Sequence, residues 1–428
     1  MKLKKIAALL AIAGLSTSAF ATNGYFAHGI GIKAKAMGGA GIAYAEDGLG
    51  IASNPATLTQ AQPGFSLGVS VFAPDRSSSL LGGTNKGANI PGGIGEQGAN
   101  HEGPFLIPEF AYARHGENGF SYGVAVYGNG GMNVDYGKAI YDMTGDRTYA
   151  NLEQLFIAPT IAKKINAQHT LALSLNIVYQ TFEAGGLDMF TCYTPGGNCV
   201  LGTGAADPAN KGKDSSTGLG VRFGWTGQFT KDFSMGAYYQ PKTRMKKFDD
   251  YKYLFAEHGK FDIPEHYGLG IAYSVTPQTI MLFDVVQINY SKIKALGNKN
   301  NHNPANTFLG EDDGKGFGWS DMTVYKLGIR HQMNDRMVLR AGWNYGKQPI
   351  AADQLDFNLL APAVVEQHLT LGMTYKLDSG AQVSAHYMHA FKKKLDGVAM
   401  GTGSGGTIHV NALQMNQDEL GIQYSWKF

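Results

Sequence analysis

The chain has few charged residues, no long apolar run after its first twenty residues, and almost no net charge. Only 16% of its 428 residues are Asp, Glu, Lys or Arg, whereas ordinary soluble proteins have about 25%. The balance of 36 basic against 34 acidic residues gives no field that would attract nucleic acid. A transmembrane helix needs roughly 18 consecutive apolar residues, and no later segment supplies them. An ordinary solvated surface, a nucleic-acid-binding protein and a helical membrane protein are therefore excluded.

Cysteine is almost absent as well. Cys192 and Cys199 are the only two, and they flank the turn-forming sequence Tyr-Thr-Pro-Gly-Gly-Asn. Two cysteines without a neighbouring histidine pair cannot complete a zinc shell, so we expect no metal and no cofactor. In an exported protein this spacing predicts a local disulfide.

Residues 1–21 have the pattern of a signal peptide. Lys2, Lys4 and Lys5 precede the apolar stretch 6–15, and Ala19-Phe20-Ala21 has the form of a cleavage site. The apolar stretch is too short to span a bilayer. We therefore predict export, with a mature chain that starts at Thr22.

Glycine and aromatic residues are abundant, with 58 Gly, 22 Tyr and 22 Phe. Many segments alternate apolar and polar residues, as transmembrane β-strands do when one face meets lipid and the other meets the lumen. The last segment shows this pattern at Leu420, Ile422, Tyr424, Trp426 and Phe428. The alternation predicts fourteen strands, near 64–72, 104–114, 119–128, 152–163, 168–183, 216–229, 232–245, 263–275, 278–290, 320–333, 336–346, 364–377, 380–392 and 417–428.

The connections between these predicted strands alternate between short turns and long loops. Outer-membrane barrels have short periplasmic turns and long extracellular loops. The sequence therefore predicts an all-β fold, a 14-stranded antiparallel transmembrane β-barrel in a bacterial outer membrane, with both ends in the periplasm. A barrel of this width is too wide for its own side chains to fill.

Residues 22–62, which precede the first predicted strand, are expected to fill the barrel, and we name this segment the hatch. It is rich in small side chains, and residues 63–428 are expected to form the barrel. Asn54 is a good helix N-cap and Pro55 a good first helical residue. A short helix is therefore predicted to start at Asn54-Pro55-Ala56.

In this motif, and across almost all of the mature chain, the sequence resembles the FadL-like outer-membrane transporters of long-chain fatty acids and aromatic hydrocarbons. The resemblance implies a barrel closed by an N-terminal hatch, and a kinked third strand through which ligand leaves sideways into the membrane. Here the third predicted strand runs into Gly128, Asn129, Gly130 and Gly131, where glycines can break the ladder. An ordinary extracellular turn is the alternative.

Two groups of residues are candidates for ligand binding. Aromatic and apolar loop residues form a candidate capture surface, unless they pack on one another over the barrel mouth; they are Met189, Phe190, Phe248, Tyr251, Tyr253, Leu254 and Phe255. Arg222 and Arg340 are inward-facing candidates for a carboxylate head group, unless they pair with carboxylates of the protein. The resemblance implies a basic residue after Val178-Tyr179, where this chain has Gln180. That difference keeps a neutral hydrocarbon substrate open.

The sequence thus predicts passive uptake of a hydrophobic small molecule by a monomer in contact with outer-membrane lipid. We expect the barrel assembly machinery to recognise the C-terminal Phe428. A lipid hydrolase is the remote alternative, because Ser384, His386 and His389 lie on one predicted strand. Ser384 and His386 share a face at a period of two, but His389 lies on the other face. We therefore predict no enzyme activity.

Overall fold

The computed structural model describes residues 22–81, 95–140, 142, 145–188, 208–300, 308–397 and 409–427. The predicted signal peptide (1–21), Met189, Phe190, Cys192, Cys199 and Phe428 lie outside these ranges. Within them, sixteen strands form one antiparallel sheet that closes on itself through the pairing of its first and last strands. Fourteen of these strands make up the wall, which confirms the predicted 14-stranded barrel.

The strand bounds follow the chain in order. They are β1 (Gly64–Leu81), β2 (Gly95–Gly98), β3 (Phe105–His115), β4 (Phe120–Asp135), β5 (Tyr149–Lys164), β6 (His169–Gly185), β7 (Asp214–Gln228), β8 (Phe233–Gln240), β9 (Arg244–Met245), β10 (His266–Thr276), β11 (Thr279–Ile288), β12 (Met322–Gln332), β13 (Met337–Gly346), β14 (Gln367–Lys376), β15 (Gln382–Asp396) and β16 (His409–Trp426). The short β2 and β9 only flank the wall, pairing with β1 and β7.

Several strands are longer than predicted at the end that leads into a long loop. β1 runs nine residues past its predicted end at residue 72, because it keeps pairing with β16 as far as Leu81. Ser77, Ser78 and Ser79 lie in this extension. Their polarity hides the strand, since apolar alternation marks only the part of a barrel that crosses lipid. β8 is shorter than predicted and ends at Gln240, directly before Pro241, which has no amide hydrogen for a ladder bond.

The outer surface carries the predicted apolar alternation. On β6 the side chains of Leu171, Leu173, Leu175, Ile177 and Tyr179 are each more than 40% exposed. Apolar surface of this extent is rare on water-soluble monomers. The exposed rows follow one another around the wall, as a lipid-facing belt requires.

The hatch packs against the wall, and inward-facing glycines of the wall let its backbone approach closely. A methyl group at Gly342 of β13 would overlap the backbone of Met37 and Gly38, and one at Gly236 of β8 would overlap the Ile42 carbonyl. Any larger residue at these positions would displace the hatch. The high glycine content therefore has a packing cause.

Short helices complete the described fold. In the hatch they span Ile32–Lys35, Gly48–Ala52 and Pro55–Thr59, and in the loops Ala256–Gly259, Tyr290–Lys292, Lys294–Gly297 and Leu355–Asn358. The helix at Pro55 starts where the sequence predicts it. None of the helices in the described ranges has the length and apolar composition needed to cross a bilayer.

Candidate functional site

The Asn54-Pro55-Ala56 motif fastens the hatch to itself and to the wall. The Asn54 side chain accepts a hydrogen bond from the Ala56 amide at 3.0 Å, which caps the helix Pro55–Thr59. Its amide group donates to the carbonyl oxygens of Ile42 at 2.7 Å and Trp225 at 2.9 Å. Asn54 is fully buried, and its bonds to Ala56 and Ile42 are buried as well. The motif acts as a structural joint between the hatch and β7.

A second joint is a partly buried charge cluster around Glu46. Its carboxylate contacts Arg340 of β13 at 2.5 Å and Arg330 of β12 at 2.8 Å, with Lys33 of the hatch at 3.9 Å. Burial raises the pKa of the Glu46 carboxyl, but Arg340, Lys33 and Arg330 together outweigh burial and hold this pKa well below its usual value. Arg340 also donates to Thr374 at 2.7 Å. Arg340 thus pairs with a hatch carboxylate, which is the alternative that the sequence left open.

The wall is interrupted beside the glycine run of β4. The β3–β4 ladder ends at the pair Phe110–Val126, although β3 continues to pair with β1 as far as Phe105. Further along, an isolated bridge joins Asn100 to Asp135. Between these two points β4 has no partner strand on its β3 side among the described residues, and we name this unpaired stretch the gap. The glycine run is therefore part of a long strand and not an ordinary extracellular turn.

The hatch takes the place of the missing strand at this gap. The register of β4 against β5 shifts between Gly128 and Gly130, so Asn129 forms a bulge in this strand. The Ala27 amide donates to the Asn129 carbonyl, and the Gly131 amide donates to the Tyr25 carbonyl, both at 3.0 Å. Gly130 has a φ of 155°, and a methyl group there would overlap the Tyr25 carbonyl oxygen. Glycine is thus required for this contact.

A small cavity lies against the same hatch segment. Its volume is about 60 Å³, and its lining includes Phe26, Asn129, Arg222, Tyr238 and Lys326. It therefore touches the bulge of β4 on one side and two cationic side chains on another. An engineered cavity that holds benzene has about 150 Å³. A ligand can occupy this place only after the hatch or side chains move.

Arg222 and Lys326 are both engaged with the hatch. Arg222 donates to the Ala52 carbonyl and, at 3.0 Å, to Gln240. The Lys326 ammonium donates to the carbonyls of His28 at 2.9 Å and Gly39 at 3.4 Å. Sequence reasoning missed Lys326, although its place on an alternating strand marks it as inward-facing. Gln180 is also committed, since it donates to the Phe261 carbonyl at 2.9 Å.

The candidate capture residues in the described ranges mostly pack on one another. Phe248, Tyr251, Leu254 and Phe255 are at most 2% exposed, while Tyr253 is half-buried. They form a packed cluster, which we name the cap, as the self-packing alternative describes, and not an exposed surface. Their role in ligand binding stays a prediction.

A row of aromatic rings connects this cap to the hatch. The ring centroids of Phe182 and Phe255 are 4.7 Å apart, and those of Phe255 and Phe261 are 5.0 Å apart. Phe261 in turn lies 6.0 Å from Tyr25, the hatch residue that binds β4. The aromatic row therefore extends from the extracellular loops to the gap.

The residues of the hydrolase alternative do not converge. The Ser384 hydroxyl shares a hydrogen bond with Thr374 at 2.8 Å, and His386 faces Glu419 at 3.5 Å. His389, on the opposite face of β15, contacts Asp418 at 2.9 Å. The arrangement does not place an imidazole–carboxylate pair behind the serine.

Sequence comparison finds relatives over nearly the whole chain. Residues 10–428 match the family described as "Outer membrane protein transport protein (OMPP1/FadL/TodX)". The long-chain fatty acid transport protein of Escherichia coli O6:H1 is 23% identical over 437 aligned residues, covering 91% of this chain and 92% of that protein.

Solved structures with similar folds include three barrels. The Pseudomonas putida toluene transporter TodX matches with a TM-score of 0.66 and 16% identity, covering 94% of this chain and 99% of that one. The Ralstonia pickettii toluene transporter TbuX matches with a TM-score of 0.64 and 19% identity, covering 94% of this chain and 99% of that one. A Pseudomonas aeruginosa FadL homologue matches with a TM-score of 0.66 and 16% identity, covering 95% of this chain and 100% of that one. Identities this low show that the fold is shared.

Proposed function

Since the chain belongs to the OMPP1/FadL/TodX family of outer-membrane transport proteins, we propose that it takes up long-chain fatty acids by passive diffusion and releases them sideways through its wall. Ligand enters at the cap of loop aromatics and follows the aromatic row. The hatch segment around Tyr25 then moves, and ligand passes through the gap between β3 and β4.

The interrupted β3–β4 ladder is the observation that carries this proposal. Burying one methylene contributes about 0.8 kcal/mol, so a tail of about fifteen methylenes gains roughly 12 kcal/mol on leaving water. Release into the periplasm would reverse most of that gain. Release through the gap keeps the tail in an apolar environment, because the outer face of the wall is apolar. The sideways route is therefore favoured for such a ligand.

The region below the hatch argues against a straight path. A polar cavity of about 480 Å³ lies at the end of the short turns, and its lining includes Glu46, Arg330, Arg336, Lys376 and Lys427. An apolar chain gains nothing by entering a charged, water-accessible space. The Glu46 cluster also holds this side of the hatch to the wall.

Hatch movement at the gap breaks few hydrogen bonds, but it also separates the buried rings of Tyr25 and Phe26 from Phe261 and Tyr290. Two backbone hydrogen bonds join residues 25–27 to β4, and each contributes about 0.5–1.5 kcal/mol net. The Asn54 and Glu46 joints hold the rest of the hatch. A local movement of residues 22–30 is therefore sufficient to enlarge the cavity.

Two cationic side chains favour a carboxylate-bearing substrate. Arg222 and Lys326 both line the cavity, and either can bind a carboxylate once the hatch carbonyls move away. The E. coli relative is described as a long-chain fatty acid transport protein. Uptake of neutral aromatic hydrocarbons is the second candidate, favoured by the neutral Gln180, and the TodX and TbuX structures are described as toluene transporters.

Uptake of labelled oleate and toluene by cells tests both candidates. A strain without its own channel for these compounds expresses the chain or the double variant K326M/D284N, which removes the Lys326 charge together with that of nearby Asp284. We expect the intact chain to raise oleate uptake, and the variant to reduce it several-fold while toluene uptake stays the same. Toluene uptake without oleate uptake would favour the second candidate. No increase for either compound would refute the proposal.

A further inference from the structure

A buried cluster of ligating side chains lies where the hatch meets the wall, away from the gap. It consists of His28 of the hatch, His386 of β15 and Glu419 of β16, which are at most 2% exposed. Among the described residues these three stand out, because one ligand atom from each lies within 4.8 Å of the others. They are far apart in the sequence, so no spacing motif reveals them.

The distances fit a shared ion. His28 Nδ1 lies 3.7 Å from Glu419 Oε2, and His386 Nε2 lies 3.5 Å from Glu419 Oε1. Bonds of about 2.1 Å at tetrahedral angles place the ligand atoms of zinc about 3.4 Å apart. Small side-chain adjustments therefore bring all three groups onto one ion.

The ligand atoms are not committed elsewhere. Within the described ranges, the ring nitrogens of His28 and His386 and the Oε2 atom of Glu419 make no hydrogen bond. Buried polar atoms in native proteins are nearly always satisfied, and each exception calls for an explanation. An imidazole binds zinc through one ring nitrogen, and both histidine rings have a nitrogen available for this bond.

The charges around the cluster also favour a cation. Lys35 contacts Glu109 and Glu419 at 2.9 Å each, so two carboxylates share one ammonium and one negative charge is left over. An uncompensated buried charge is strongly destabilising. Lys35 binds Oε1 of Glu419 and leaves Oε2 available. The Lys326 ammonium also lies near the cluster, because it donates a hydrogen bond to the His28 carbonyl. The negative charge of Asp284 offsets its positive charge.

Two imidazoles and one carboxylate are a donor set that suits zinc with one open position. We propose that His28, His386 and Glu419 bind a zinc ion that fastens the N-terminal part of the hatch to strands β15 and β16. His368 of β14 stacks on the His28 ring at 6.1 Å and provides a further imidazole beside the site.

Such an ion would act as a clip on the hatch. Its ligands come from both hatch and wall, so the ion binds the closed arrangement more tightly than one in which residues 22–30 have moved. A ligand that prefers one state shifts the population toward that state. Zinc should therefore slow uptake. This consequence rests on the proposed hatch movement, whereas the proposal that zinc binds does not depend on it.

Zinc binding to the full mature chain, purified in detergent and stripped with a chelator, tests the site. Calorimetric titration with zinc sulfate and metal analysis should find one ion per chain. H28Q and H386Q should each weaken binding at least tenfold. H389Q is the matched control, because His389 lies on β15 but pairs with Asp418 on the outer face. Heat-dependent migration on gels checks that each variant is a folded barrel.

The outcomes separate the site from its effect on transport. If the folded intact chain binds no stoichiometric zinc, or if both variants bind it as tightly as the intact chain, the site is refuted. Oleate uptake measured with zinc and with chelator tests the clip. Slowing by zinc in the intact chain but not in H28Q supports it, and zinc binding with unchanged uptake refutes the clip alone.

Discussion

The contact between hatch and β4 can be perturbed by one methyl group, with the variant Gly130→Ala. Gly130 has a φ of 155°, a region that L-residues rarely adopt. The added Cβ would also overlap the Tyr25 carbonyl oxygen. Relief of the overlap requires that residues 25–27 leave the strand edge, and the β4 backbone at residue 130 can then rotate to an ordinary φ.

The structure gives the size of the effect. Undocking breaks the two 3.0 Å hydrogen bonds between Ala27 and Asn129 and between Gly131 and Tyr25, which together contribute about 1–3 kcal/mol. If the methyl group cancels that contribution, the undocked population rises about 5- to 150-fold. Under the proposed mechanism oleate uptake rises as well, because undocking enlarges the cavity beside the gap.

Hydrogen exchange followed by mass spectrometry measures this change directly in purified protein. We expect faster exchange in a peptide that contains residues 25–27, and unchanged exchange in residues 38–42. The latter segment is held separately, since the Gly38 amide donates to Thr370 at 2.8 Å and the Gly41 amide to Asp284 at 2.7 Å.

Gly145→Ala is the matched control. Gly145 also has a positive φ, of 100°, but its added methyl group meets open space. It therefore introduces backbone strain without a clash against the hatch. Equal protection of residues 25–27 in the intact chain and in folded G130A would refute the reasoning.

Three further variants test the hatch joints and the loop cap. Asn54→Ala removes the helix cap and the two hydrogen bonds that the Asn54 amide donates to the Ile42 and Trp225 carbonyls, so we expect the hatch to lose about 2–5 kcal/mol of stability. Hydrogen exchange in residues 40–60 measures this loss, and unchanged exchange would contradict it. Glu46→Gln should destabilise the hatch most at neutral pH. The pKa of the Glu46 carboxyl is depressed in the folded protein, so its charge stabilises the folded state fully at pH values above the ordinary carboxyl pKa, about 4.5. This contribution is lost as the pH falls below that value. Unfolding measured across that range should show the difference between E46Q and the intact chain shrinking toward acid; a pH-independent difference would count against the charge cluster. Phe255→Ala removes a buried ring from the cap and should lower the local stability of residues 248–261 by about 3–5 kcal/mol. Barrel migration on gels should not change. Full protection of residues 248–261 from hydrogen exchange would show that the ring is dispensable.

The wall was predictable from the sequence because the environment on each face imposes a period of two. Lipid outside and hatch inside select opposite side chains, so the count of fourteen strands and their short turns followed from alternation. The parts of β1 and β16 next to their long loops did not follow from alternation, because their side chains lie beyond the belt of exposed apolar residues. The N-cap at Asn54 was predictable because capping is a local interaction.

The joints between hatch and wall were not predictable in the same way. Glu46 and Arg340 are 294 residues apart in the chain, and only the closed barrel brings them together. The glycine run at 128–131 predicted a disturbed strand, but nothing local indicated that Tyr25 and Ala27 would pair with it. For Phe248 and its neighbours the sequence left an exposed capture surface and self-packing both open, since composition does not say whether aromatic residues cover one another.

The glycines that line the inside of the wall make hatch and barrel a matched pair of surfaces. Because Gly236 and Gly342 fit the hatch backbone itself, they constrain its path whatever its side chains are. A hatch transplanted from a distant relative would therefore seat only if the recipient barrel has small residues at the same heights. The cap has no such constraint, so loop exchange between relatives is the more tractable way to alter what these barrels admit.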